Sequence, residues 1–301
     1  MKKTKMTCAA LAANFASIVG IIAIAAMVGF GFIACSDDET HKHSWSAEWS
    51  SNATQHWKEC TDADCDAKTQ TANHQNVYRV TSTSYPAQSM QTCNDCSKTT
   101  GTARNTIIGD TGPAGGIIFY VASSGFTVKG YTGTTGTFAE YTAYYLEAAP
   151  ALESESLEWG AEGTLIDDVT TWGVTQNEYW AMLEDIATSI GSGRRDMQII
   201  VNHLAKTGET NKAAQVCASK TVTVGGTVFN DWFLPSIGEI DEMYKARDHL
   251  GILSDYSIVL WSSSQGDDNK AYSYGFFEIG NGFPNYENKN IDRYVLAARA
   301  F

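Results

Sequence analysis

The sequence predicts an α+β domain behind a polar segment rich in His and Cys. Three observations predict it. Gly is common (26 of 301 residues) and Pro is scarce (5), which suits a loop-rich mixed fold better than a helical bundle. Capped amphipathic runs alternate with short β-branched and aromatic runs. The apolar fraction of 43%, with 11% aromatic, is ample for a packed core.

The most informative run is Asp231-Trp232-Phe233-Leu234-Pro235-Ser236-Ile237-Gly238-Glu239-Ile240. Trp232 to Leu234 read as a buried strand end. Pro235 has no N–H and stops the ladder. Ser236 and Glu239 spell a capping box that opens a helix over 236–248. Further helices are expected at 175–190, opened by Thr175 and Glu178, at 196–205, and at 211–219. Strands are expected at 116–122 and 141–148. A Gly225-Gly226 hairpin is expected at 221–229, and closing strands at 258–262, 271–278 and 294–301. Gly109 to Gly115 spells two collagen-like triplets, too few for a triple helix, and reads as a turn into a strand. Residues 102–106 read as a polar linker, and 131–138 as a Gly/Thr-rich loop.

Trp232-Phe233-Leu234-Pro235-Ser236…Glu239, Trp261-Ser262-Ser263-Ser264 and the terminal Arg299-Ala300-Phe301 resemble the C-terminal domain of the Legionella collagen-like adhesin. Gly112 to Val121 and Tyr145 to Pro150 resemble its version in spirochaete surface lipoproteins. The resemblance spans roughly residue 106 to the end. It implies a C-type-lectin-like domain in which Trp232, Pro235, Ser236, Glu239, Trp261 and Ser262 are fold-critical. It assigns no ligand-binding residue.

Net charge is −13 and Lys/Arg do not cluster beyond the N-terminus, which argues against a nucleic-acid partner. Lys2, Lys3 and Lys5 precede an uncharged stretch from Ala9 to Ala34 and then Cys35. That pattern resembles a lipoprotein signal with Cys35 as the lipidated residue. An uncleaved membrane anchor is the alternative. Both readings export the chain to the cell envelope and tether it to a membrane. The expected organisation is 1–35 signal or anchor, 36–105 polar segment and 106–301 adhesin-type domain.

Aliphatic residues nearly vanish over 36–105, while His43, His56, Cys60, Cys65, His74, Cys93 and Cys96 accumulate. A weak repeat runs from His43 to Cys60…Cys65, and again from His74 to Cys93-Asn-Asp-Cys96. Three readings stay open. A tetrahedral zinc ion could staple a piece too small to fold alone. Disulfides suit an exported chain. A plain stalk needs neither. The histidines favour metal, because disulfides require none. The favoured ligand set is Cys60, Cys65 and His74 with His56 or His43, or else all four cysteines.

No catalytic constellation is legible, so an enzyme is not expected. His203 and His249 sit at helical positions with structural readings. Ser262-Ser263-Ser264 lacks a nucleophile elbow, and Cys217 lies in an apolar helix. Calcium in the C-terminal domain is not supported, since neither a Glu-Pro-Asn nor a Gln-Pro-Asp loop is present. Asp267-Asp268-Asn269 reads as a solvated loop. Trp172, Trp180, Tyr141, Tyr144 and Tyr145 read as packing residues rather than sugar platforms. The expected role is binding of an extracellular glycan or protein; the alternative is an envelope-assembly lipoprotein with no dedicated ligand. Oligomeric state is not legible.

Overall fold

Polar strands open the fold. The computed structural model describes residues 42–171, 189–251, 257–277 and 282–301. The chain divides into two units, Met1–His43 and Ser44–Phe301, and every element below belongs to the second. The expected signal or anchor with Cys35, the helix at 175–190, Trp172 and Trp180 lie outside the described residues. Among the described residues no helix is long and apolar enough to cross a membrane.

Residues 50–105 form two three-stranded antiparallel meanders. The first is β1 (Ser50–Ser51), β2 (Gln55–Glu59) and β3 (Lys68–Asn73). The second is β4 (Asn76–Ser82), β5 (Gln88–Cys93) and β6 (Thr99–Asn105). The expected linker at 102–106 is therefore largely strand. These strands are rich in Thr, Ser and Gln and are held chiefly by their backbone ladders. The second meander also shares a small core, in which Val80 and Ala87 pack with Ile118 and Tyr145. The Tyr145 hydroxyl accepts from Ala87 N–H at 3.0 Å. Thr111 exchanges backbone bonds with Tyr78 and Val80 at 2.7 and 2.8 Å.

The larger core follows. β7 (Ile117–Val128) pairs with β10 (Tyr141–Ala148), and β10 with the terminal β18 (Ala298–Ala300). Between β7 and β10, the expected loop is a small hairpin of β8 (Tyr131–Gly133) and β9 (Gly136–Phe138). A five-stranded sheet runs β11 (Ser154–Leu157), β17 (Arg293–Val295), β14 (Ser257–Gln265), β15 (Lys270–Phe277) and β16 (Phe283–Asn288). The helices are α1 (Gly193–Thr207), α2 (Ala213–Ser219) and α3 (Ile237–Lys245), with the 222–229 hairpin of β12 (Val222–Val224) and β13 (Thr227–Phe229) between α2 and α3.

The Trp232–Glu239 run sits where these parts meet. Phe233 exchanges two backbone bonds with Ala298, at 2.8 and 2.9 Å, and the ladder stops at Pro235. Ser236 Oγ accepts from Glu239 N–H at 3.3 Å, and Glu239 Oε2 accepts from Ser236 N–H at 2.7 Å. The capping box is formed, although the α-helix ends at Lys245 and continues as a 3₁₀ turn over Arg247–His249. Trp261 Nε1 donates to Leu157 O at 2.9 Å, and Ser262 Oγ to Tyr272 O at 2.7 Å. Trp159, Trp232 and Trp261 are fully buried in this core.

The architecture corrects the expected fold class. Among the described residues there are eighteen strands and three α-helices, spread over several small sheets. The fold is predominantly β rather than an α+β, C-type-lectin-like arrangement. The reason is physical. A capped amphipathic helix advertises itself in sequence through a 3.6-residue period. A short polar strand with little buried surface carries almost no hydrophobic period.

Candidate metal centre

A strand spaces its residues by about 3.3 Å, so β2 holds His56 and Cys60 about 13 Å apart. The register Gln55↔Asn73 and His56↔Ala72 brings the end of β3, and hence His74, back beside His56. The opposite register, Glu59↔Lys68, leaves Cys60 and Cys65 on the turn at the far end. The favoured grouping of His74 with Cys60 and Cys65 is therefore not the one formed. Nor do the four cysteines converge. His56, His74, Cys93 and Cys96 come together instead, with one donor atom from each all within 4.8 Å of one another.

The two cysteines come from the β5–β6 turn. Cys93 N–H donates to Lys98 O, and Ser97 N–H to Cys93 O, both at 3.0 Å. Ser97 adopts the left-handed backbone (φ 58) that closes this turn. Cys93 is buried and Cys96 half-buried. The histidines come from the first meander and the link between the meanders. His56 is 2% exposed and lies edge-on to the Trp49 ring, with centroids 4.7 Å apart.

Both histidines turn Nδ1 inward. The two Nδ1 atoms are 3.5 Å apart. Cys93 Sγ is 3.6 Å from His56 Nδ1, and Cys96 Sγ is 3.4 Å from His74 Nδ1. A tetrahedral Zn²⁺ with bonds of about 2.0–2.1 Å to nitrogen and about 2.3 Å to sulfur has N···N edges near 3.3 Å and N···S edges near 3.6 Å. The observed spacings match those edges. A soft S₂N₂ donor set also suits zinc in preference to calcium or magnesium.

The outward nitrogens have partners too. His74 Nε2 stands 3.1 Å from Asn52 O, and His56 Nε2 stands 3.6 Å from Asp95 Oδ2. Outer carbonyl and carboxylate partners of this kind fix the tautomer of a ligating imidazole and leave Nδ1 free to bind. Electrostatics follow the same plan. Burial pushes the Cys93 thiol up, but the backbone N–H groups of Cys96 and Asp95 and the His74 side chain outweigh it and bring it to about 6. Burial pushes the Cys96 thiol up against the Lys98 N–H, with Cys93 acting in the same direction. The Asn52 carbonyl raises His74, with Cys93 adding to it.

The other expected residues are placed as follows. His43 is exposed and closes the first unit. Cys60 and Cys65 sit on the β2–β3 turn. Cys217 is fully buried in the main core, where burial raises its thiol well above the usual range. Ser262, Ser263 and Ser264 are buried, and Ser264 Oγ accepts from Ile237 N–H at 3.1 Å. The Asp267 carboxylate accepts from Asn269 and Lys270 N–H at 2.8 and 2.7 Å and from the Tyr286 hydroxyl, so it closes a hairpin turn. Asp95 and Asn52 were not singled out in the sequence. The signal available was the Asp inside the Cys93-x-x-Cys96 turn.

No model of a known protein family matches the chain, and no curated protein matches it. Among solved structures, a fimbrial protein from Bacteroides ovatus is similar over 72% of this chain, with 14% identity and a TM-score of 0.40. The chain spans 57% of that protein's length.

Proposed function

We propose that this is an exported bacterial surface protein, tethered by its N-terminal segment, in which a structural zinc ion staples two β-meanders that precede a larger β-rich binding domain in the chain. The observation that carries the zinc reading is the convergence of His56, His74, Cys93 and Cys96 at tetrahedral spacing. All four coordination positions are filled by protein, as in structural rather than catalytic zinc sites. The ligands come from both meanders, so the ion links two pieces that bury little apolar surface of their own. Export and tethering are supported by the Lys-rich start, the uncharged run and Cys35. The binding role is supported by the resemblance of residues 106–301 to the adhesin module.

The test has two parts. Elemental analysis of the purified full chain should find zinc, and a Cys93→Ser/His56→Ala variant should lose one equivalent of it. Unchanged zinc in that variant would remove the proposed centre. Arrays of glycans and matrix proteins then address binding. Reproducible capture supports the binding role; a blank array favours the envelope-assembly alternative.

A further inference from the structure

The two meanders share more than strand order. Each carries a cysteine pair on its second turn: Cys60 and Cys65 between β2 and β3, Cys93 and Cys96 between β5 and β6. In each, the N–H of the first cysteine donates to the carbonyl of the residue two places past the second. Cys60 N–H donates to Ala67 O, and Cys93 N–H to Lys98 O, both at 3.0 Å. That same residue turns its own N–H onto the second sulfur, Ala67 onto Cys65 and Lys98 onto Cys96. Burial also repeats, with the first thiol buried and the second half-buried. Four residues separate the first pair and two the second. The additional length is taken up by a local turn in which Cys65 N–H donates to Asp62 O at 3.0 Å. The clamp is conserved in geometry although the loop is not conserved in length.

We propose that Cys60 and Cys65 are the thiolate half of a second site for a thiophilic d¹⁰ metal ion, with Zn²⁺ as the ion to test, so that the protein binds two metal ions rather than one. The inference rests on reading the first centre as a metal site. The Cys60 and Cys65 sulfurs also lie within 4.8 Å of one another, as those of Cys93 and Cys96 do, and two thiolates at that spacing suit one soft metal ion. In the first centre both imidazoles come from outside the meander that bears the cysteines. The Cys60/Cys65 meander likewise supplies two thiolates and leaves the rest of the shell to ligands from outside it.

Native mass spectrometry of the full chain titrated with Zn²⁺ under reducing conditions tests this. Two ions are expected in the wild type, one in Cys60→Ser/Cys65→Ser, one in Cys93→Ser/Cys96→Ser and none in the quadruple variant. Cadmium NMR of the wild type should show two resonances and needs no variant to fold. Saturation at one ion that survives Cys60→Ser/Cys65→Ser would overturn the second site and leave the first intact. One ion abolished only by Cys60→Ser/Cys65→Ser would instead remove the first. A Cys60–Cys65 disulfide in the exported protein, with zinc retained at Cys93, would also overturn the proposal.

Discussion

Asp95 lies between Cys93 and Cys96 in sequence, yet its part in the candidate centre lies across the site, 3.6 Å from His56 Nε2. An outer carboxylate of this kind holds its imidazole in the ligating orientation. Asp95→Ala should therefore weaken zinc binding by about 10–100-fold without changing the ion count at saturation. Competition against a chelator of known affinity measures this; an unchanged affinity would make Asp95 a bystander. Ser236 works on a smaller scale. Its Oγ accepts from Glu239 N–H and donates to Ser189 O at 2.9 Å. Ser236→Ala should cost about 0.5–2 kcal/mol, read from denaturant midpoints. Glu147 shows what burial does to a single carboxyl. It is fully buried and accepts from Ala114 N–H at 3.2 Å, while Gly112 packs so closely that a Cβ there would stand on the carboxylate.

At the scale of elements, the meanders and the main core have different sources of stability. The main core closes around Trp159, Trp232 and Trp261, whose apolar surface is entirely buried. Trp232→Ala should cost about 3–5 kcal/mol, as truncation of a buried aromatic does. The meanders have ladders, a small cluster around Val80 and Ala87, and the candidate ion. Chelation of zinc should accelerate hydrogen exchange over residues 50–105 and leave β10, β14 and α3 protected. Equal protection of the meanders with and without chelator would mean that the ion holds nothing together.

Over the whole molecule, three buried carboxyls set a common pH trend. Burial raises Glu147 to about 8, against the Arg299 charge and the Ala114 N–H. It raises Glu239 to about 7, against the N–H groups of Ser236 and Gly191, and Asp196 to about 6. Each group binds its proton more tightly folded than unfolded. The stabilisation from protonation is complete below the ordinary carboxyl value and is lost as pH rises through the folded value. Wild-type stability should thus fall relative to Glu147→Gln between about pH 5 and 8, because the amide keeps the bond from Ala114 and cannot ionise. Thermal melts of the two proteins across that range provide the check; parallel curves would mean that Glu147 does not titrate there.

The sequence alone determined the local features whose signals are short. The Ser236–Glu239 capping box, the stop at Pro235, the Gly225-Gly226 hairpin and the strand at Tyr141–Ala148 all depend on neighbouring residues, and all are formed. The donor types of the candidate soft-metal centre were legible for the same reason, since thiol and imidazole chemistry belongs to the residue. Which donors meet was not legible. His56 lies four positions from Cys60 and 37 from Cys93, yet it sits with Cys93. An extended strand carries sequence neighbours apart while antiparallel pairing returns distant residues to the same end. The fold class was decided in the same way. Polar strands such as Lys68–Asn73 have little hydrophobic period to read, and only pairing with other strands satisfies their backbone groups.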